Sequence, residues 1–77
     1  MVILSKDRNL IIADSRKYAF YYDYLKCEFK YALYARPIYA QKGDAFILGL
    51  WVDVEKCQKA LFDLFQAMQE KTYHEVK

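Results

Sequence analysis

Hydrophobic positions along the chain fall into short blocks whose period changes in the last third. Val2-Ile3-Leu4-Ser5 and Leu10-Ile11-Ile12-Ala13 are β-rich runs on either side of Lys6-Asp7-Arg8-Asn9. That spacing predicts a hairpin with a polar loop. Asp14-Ser15-Arg16 reads as the next turn, with Asp and Ser placed to hydrogen-bond the backbone.

The stretch from Lys17 to Ala40 supports two readings. From Cys27 the alternation is strict: Cys27, Phe29, Tyr31, Leu33 and Ala35 share one face, and Lys26, Glu28, Lys30, Tyr34 and Arg36 share the other. A half-buried strand needs that pattern, with the apolar face turned to the helix. Tyr18 to Leu25 is β-prone by composition. The same stretch also carries Tyr18, Tyr21, Tyr22, Leu25, Phe29, Ala32 and Leu33 at helical spacing, with Ser15 as a cap and Pro37 as a stop. Strands are favoured, because Tyr and Phe dominate and good helix formers on the polar side are few.

Gly43-Asp44 marks a turn, and Ala45 to Val52 is apolar on both faces, as in a central strand. Gly49 would let a helix side chain come close. After it the period becomes helical. Asp53 is an N-cap and Glu55 complements the dipole in the first turn. Val54, Cys57, Leu61, Leu64, Phe65 and Met68 form one stripe with Ala60 at its edge, and Glu55, Lys59, Asp63, Gln66 and Glu70 lie opposite. Phe62 falls on the flank, and Tyr73 to Lys77 reads as a fraying end. The fold class predicted is α+β: an antiparallel meander of about four to five strands over residues 2–52, with one amphipathic C-terminal helix over 54–73 packed on one face. All of it forms a single domain, 1–77. Helix should account for about a quarter of the residues, near the ordinary prior.

Composition adds a constraint on stability. A chain of 77 residues buries only about 60–65% of its unfolded surface, so small domains lean on disulfides, a metal or oligomerisation. Cys27 and Cys57 are too few for a secreted disulfide framework and read as buried thiols in a reducing compartment. Neither a metal nor a cofactor is expected, since the two cysteines lie far apart and His74 sits near an end. Oligomerisation remains. Hydrophobic residues make up 56% of the chain, above the roughly 45–50% of ordinary domains. Eight tyrosines and five phenylalanines are more aromatic surface than a small core absorbs, so a homodimer or another protein is expected to cover the excess.

A net charge of +2 and a pI near 8.5 fall short of the pI above about 9 that marks nucleic-acid modules. Val2 to Leu4 is too short for a signal-peptide core, and Ala45 to Val52 is too short to span a bilayer. The expected location is the cytoplasm, with no membrane contact.

The segment Ile47-Leu48-Gly49-Leu50-Trp51-Val52-Asp53-Val54-Glu55-Lys56-Cys57-Gln58-Lys59-Ala60-Leu61 has the form of an I-L-G-x-aromatic strand, a cap and a helix beginning E-K. Ile3-Leu4-Ser5-Lys6-Asp7 adds an I-x-S-x-D opening. Together these resemble small uncharacterised proteins of phages, prophages and mobile elements of low-GC Gram-positive bacteria. Trp51 stands where Tyr is usual there, and Cys57 where Ala is usual. The two ends cover under half of the chain, and the middle matches nothing comparable. The resemblance implies no activity. It implies a setting in which small proteins act by binding host proteins, including anti-CRISPR-type inhibitors of defence nucleases.

No catalytic set is visible. The only histidine is His74, and Ser5 and Ser15 fall in turns. Cys57 lies on the core stripe, where a thiol acts as a small hydrophobe. An enzyme is not expected. Tyr21, Lys26, Lys30, Tyr34 and Arg36 are the candidate binding residues, on the outer face of the predicted sheet. Such a face suits a protein partner through Tyr and Arg. In the alternative reading, a single-strand nucleic acid stacks on the tyrosines and meets the cations. Glu28 and Asp23 on that face oppose phosphate. Trp51 and Phe62 are candidates for a dimer or partner contact.

Overall fold

The computed structural model describes residues 1–39 and 45–77; the expected turn at Gly43-Asp44 lies outside them. The fold is α+β, but the strands divide between two small sheets rather than one meander of four to five strands. The first sheet holds β1 (Val2–Leu4), β2 (Ile11–Ile12) and β6 (Tyr73–Glu75) in the order β2-β1-β6. The second holds β3 (Tyr18–Leu25), β4 (Lys30–Pro37) and β5 (Phe46–Trp51) in chain order, all antiparallel. One helix, α1 (Val54–Glu70), packs against the second sheet.

The opening hairpin forms as the pattern predicts, with Ile3 opposite Ile12 and Leu4 opposite Ile11. Asp7 organises its loop by accepting from the Ser5 hydroxyl at 2.6 Å and the Asn9 N–H at 3.0 Å. Asp14 then caps a 3₁₀ turn, Ser15–Lys17, by accepting from the Arg16 N–H. The end of the chain departs from expectation. The helix stops at Glu70, and Tyr73–Glu75 runs parallel to β1 instead of fraying. Val2 donates to Thr72 C=O and Val76 to Leu4 C=O, both at 2.9 Å, which places Val76 in the core. Arg8, in the loop, binds Glu75 at 2.6 Å. The tail is held because three short strands share one hydrophobic layer with Ile3 and Ile12.

Strands, not a helix, form between Tyr18 and Pro37. They are two strands, however, and the second begins at Lys30 rather than at the expected Cys27. Lys26 to Phe29 form a tight turn, closed by Glu28 N–H to Leu25 C=O at 3.2 Å and Phe29 N–H to Lys26 C=O at 3.3 Å. Cys27 is exposed there, and Phe29 is 76% exposed with φ 54°. The inward face therefore starts at Tyr31, Leu33 and Ala35, which face Tyr24, Tyr22 and Phe20 across the pair. The period-two pattern ran through the turn by coincidence. Cys57 alone of the two thiols is buried.

Among the described residues β5 is the edge of its sheet rather than the centre. Its register slips between Leu33–Gly49 and Tyr34–Ile47, a bulge that leaves Leu48 without an opposite residue and buries it beside Gly49. Lys6 covers part of the open edge, donating its N–H to Leu48 C=O at 2.7 Å and its Nζ to Leu50 C=O at 3.0 Å. That stitch joins the two sheets.

The helix is capped as expected, with Asp53 accepting from the Glu55 N–H at 3.0 Å. Its contact face is turned from the predicted stripe. Cys57, Leu64 and Ala67 are buried and Ala60 and Leu61 pack on the core, while Phe65 and Met68 stay 55% and 38% exposed. Ala67 takes the inner place because a small side chain lets the helix lie close. Among the described residues no helix is long and apolar enough to cross a membrane.

Candidate functional site: an exposed aromatic sheet face

The pleat of β3 and β4 sorts side chains onto two faces. Phe20, Tyr22, Leu33 and Ala35 turn toward the core. The register puts Ala19 opposite Arg36, Tyr21 opposite Tyr34, Asp23 opposite Ala32 and Leu25 opposite Lys30 on the outer face. Ile47 joins from β5, opposite Tyr34.

Four of the five binding residues expected from the sequence thus share this face. Tyr21 and Tyr34 stack at 5.2 Å between ring centroids with 21° between planes. Arg36 and Lys30 lie at opposite ends of the row. Lys26 does not belong to it, because it sits in the turn, and Glu28 leaves the face for the same reason. Asp23 stays. Burial pushes the Tyr34 phenol upward, and the nearby Asp23 carboxylate adds to that rise. The acid therefore sits within electrostatic reach of the stacked pair.

The two residues expected at a partner contact separate. Trp51 is 7% exposed and belongs to the core, so it offers a partner almost nothing. Its indole packs on Gly49 and carries Lys6 Nζ 4.7 Å from its centroid. Phe62 is 57% exposed. It lies at the sheet edge, not beside Trp51, and helps line an apolar groove of about 490 Å³ with Phe20, Tyr22, Phe65 and Met68. Gln58 Nε2 donates to Tyr22 Oη across one end at 2.8 Å.

The sequence pattern does not single out this groove, because the helical stripe places Phe65 and Met68 in the core. A hint was present: every charge of the helix between Glu55 and Glu70 falls on one arc, leaving Val54, Gln58, Phe62, Phe65 and Gln69 free of charge. A second groove of about 760 Å³ runs between the charged arc of α1 and β6, with His74, Lys56, Lys59 and Asp63 along it. Burial lowers the His74 pKa and Lys71 adds to the effect. Cys57 is wholly enclosed and burial raises its thiol pKa, which keeps it an inert core group. No family model matches this chain, and no curated protein or solved structure does so significantly.

Proposed function

We propose that this chain is a non-enzymatic interaction protein that binds a protein partner on the outer face of the β3-β4-β5 sheet. The observation that carries this reading is the stacked Tyr21–Tyr34 pair, with Tyr21 exposed and Tyr34 half-buried, between Ile47 on one side and Arg36 and Lys30 at the ends. Tyr and Arg are the residue types that most often anchor protein interfaces. The resemblance of the two chain ends to phage and mobile-element proteins supplies the setting: the partner is a host protein, and its capture blocks a defence system in the manner of an anti-CRISPR protein. Binding to single-stranded nucleic acid through Tyr21, Lys30, Tyr34 and Arg36 is the rival. It is disfavoured because Asp23 sits near the pair and because the two rings spend one face each on one another.

The test is a comparison of captures from host lysate by the native protein and by a Tyr21→Ser, Tyr34→Ser, Arg36→Glu variant. A host protein retained by the first and released by the second supports the reading. Retention that ignores the three changes would remove it. A gel shift with single-stranded DNA that weakens steeply as salt rises would favour the rival instead.

A further inference from the structure

The apolar groove beside Phe62 borders an open strand edge, and the two features fit one occupant. β3 ends its sheet, so among the described residues only β4 pairs with it along the ladder. Lys17 C=O accepts from Ile38 N–H, and Pro37, which has no N–H, stands opposite Tyr18. Odd-numbered residues of β3 thus direct their backbone groups at β4, and Phe20, Tyr22 and Tyr24 direct theirs outward. The Tyr24 N–H confirms the direction, since it is taken by the Asp23 carboxylate at 2.8 Å instead of by a strand. Phe20 and Tyr22, whose backbone lines this edge, are the same residues whose rings wall the groove against Phe62, Phe65 and Met68 of α1.

We infer that a second copy of this chain docks along this edge, the two β3 strands pairing antiparallel about a twofold axis near Phe20. The β3-β4-β5 sheets of the two copies become one continuous sheet of double width. The α1 helices lie on the same side of it and meet through Phe62 and Phe65. This face is its own complement. The arc of α1 that closes the contact carries no charge, so no ion is buried when it meets its twin. The edge carries Lys17 and Asp23 three positions either side of Phe20, so the axis sets each lysine against the other copy's aspartate. The pairing also puts Phe20 against Phe20 and Tyr18 against Tyr22, aromatic pairs of the kind that stabilise neighbouring strands. Tyr24, whose N–H is already occupied, falls outside the paired segment.

Size sets the strength. The paired segment, Lys17 to Asp23, runs about 23 Å. With sheet and helix together about 20 Å deep, it buries on the order of 500 Å² per copy. The total, about 1,000 Å², sits at the lower bound for a specific interface, so the dimer is reversible and dissociates on dilution. It leaves the outer face free and sets two copies of it side by side.

Sedimentation equilibrium from about 1 to 500 µM tests this, with circular dichroism confirming that each variant is folded. The native protein should shift from monomer toward dimer across that range. Phe62→Glu should weaken association at least tenfold, and Asp23→Lys should weaken it by setting two lysines together. Combining Asp23→Lys with Lys17→Asp should restore it. A native protein that stays monomeric throughout overturns the inference. So does a dimer indifferent to Phe62→Glu, or one in which the charge exchange restores nothing.

Discussion

The six-membered ring of Trp51 lies over Gly49 so closely that a Cβ added there would come within 2.5 Å of Cη2 and 3.0 Å of Cζ3. The contact is between two residues of one strand, just past the bulge that turns Leu48 inward. It accounts for a glycine in the middle of a strand, where its freedom would otherwise weaken the sheet. The sequence predicts that Gly49 admits a helix side chain, and the indole takes that space instead.

Gly49→Ala should therefore destabilise the fold by about 1–3 kcal/mol, the usual cost of overpacking a core. The same change made together with Trp51→Leu should add little to the cost of Trp51→Leu alone. Urea denaturation of the two single variants and the double variant measures the coupling. Equal penalties in both backgrounds would mean that the ring is not what excludes the methyl.

The helix turned from its predicted stripe makes a second test. Leu64 is fully buried and Phe65, its neighbour in sequence, is more than half exposed. Leu64→Ala should cost about 2–5 kcal/mol, enough to unfold much of a domain this small. Phe65→Ala should cost under about 1 kcal/mol in the monomer, as surface changes usually do. Similar losses at both positions would restore the stripe read from the sequence.

Phe29 holds a left-handed backbone, φ 54°, in the turn between β3 and β4, with its ring largely in water. A residue with a Cβ is strained there, and glycine is not. Phe29→Gly should raise stability by roughly 0.5–1 kcal/mol, since the lost strain exceeds glycine's greater freedom in the unfolded chain. A thermal midpoint that falls on this substitution would contradict the turn.

Acid should weaken the fold through His74. Burial, then Lys71 and Lys77, hold its pKa below the ordinary value, and Asp63 only partly opposes them. The folded state thus favours the neutral imidazole. Its contribution is complete above about pH 6.5, the usual histidine value, and is lost as pH falls from there toward the lowered one. Asp7, held down by the Ser5 hydroxyl, and Asp14, held down by Arg16, act only at lower pH. Urea midpoints should therefore drop between pH 7 and pH 5 in the native protein and stay level in His74→Gln. A slope unchanged by that substitution would assign it to another group.

Local chemistry settled much of the chain without tertiary help. The hairpin around Lys6-Asp7-Arg8-Asn9, the Asp14 turn, the β composition of Tyr18 to Leu25 and the Asp53 cap all depend on residues within a few positions of each other. The outer-face set of Tyr21, Lys30, Tyr34 and Arg36 was legible for a related reason: alternation within a strand fixes which side chains share a face. What failed was information that no short window holds. Cys27 and Phe29 continue the alternation of β4, and only the pairing of Leu25 with Lys30 shows that the chain reverses between them. Phe65 and Met68 are as apolar as Leu64, and the angle of the helix on the sheet decided which was buried. The tail from Tyr73 to Val76 has no strong pattern of its own and became a strand because β1 had a free side to receive it. Period and capping are properties of neighbours in sequence. Register, edge and rotation follow from which surfaces find each other, and contacts between distant parts of the chain decide them.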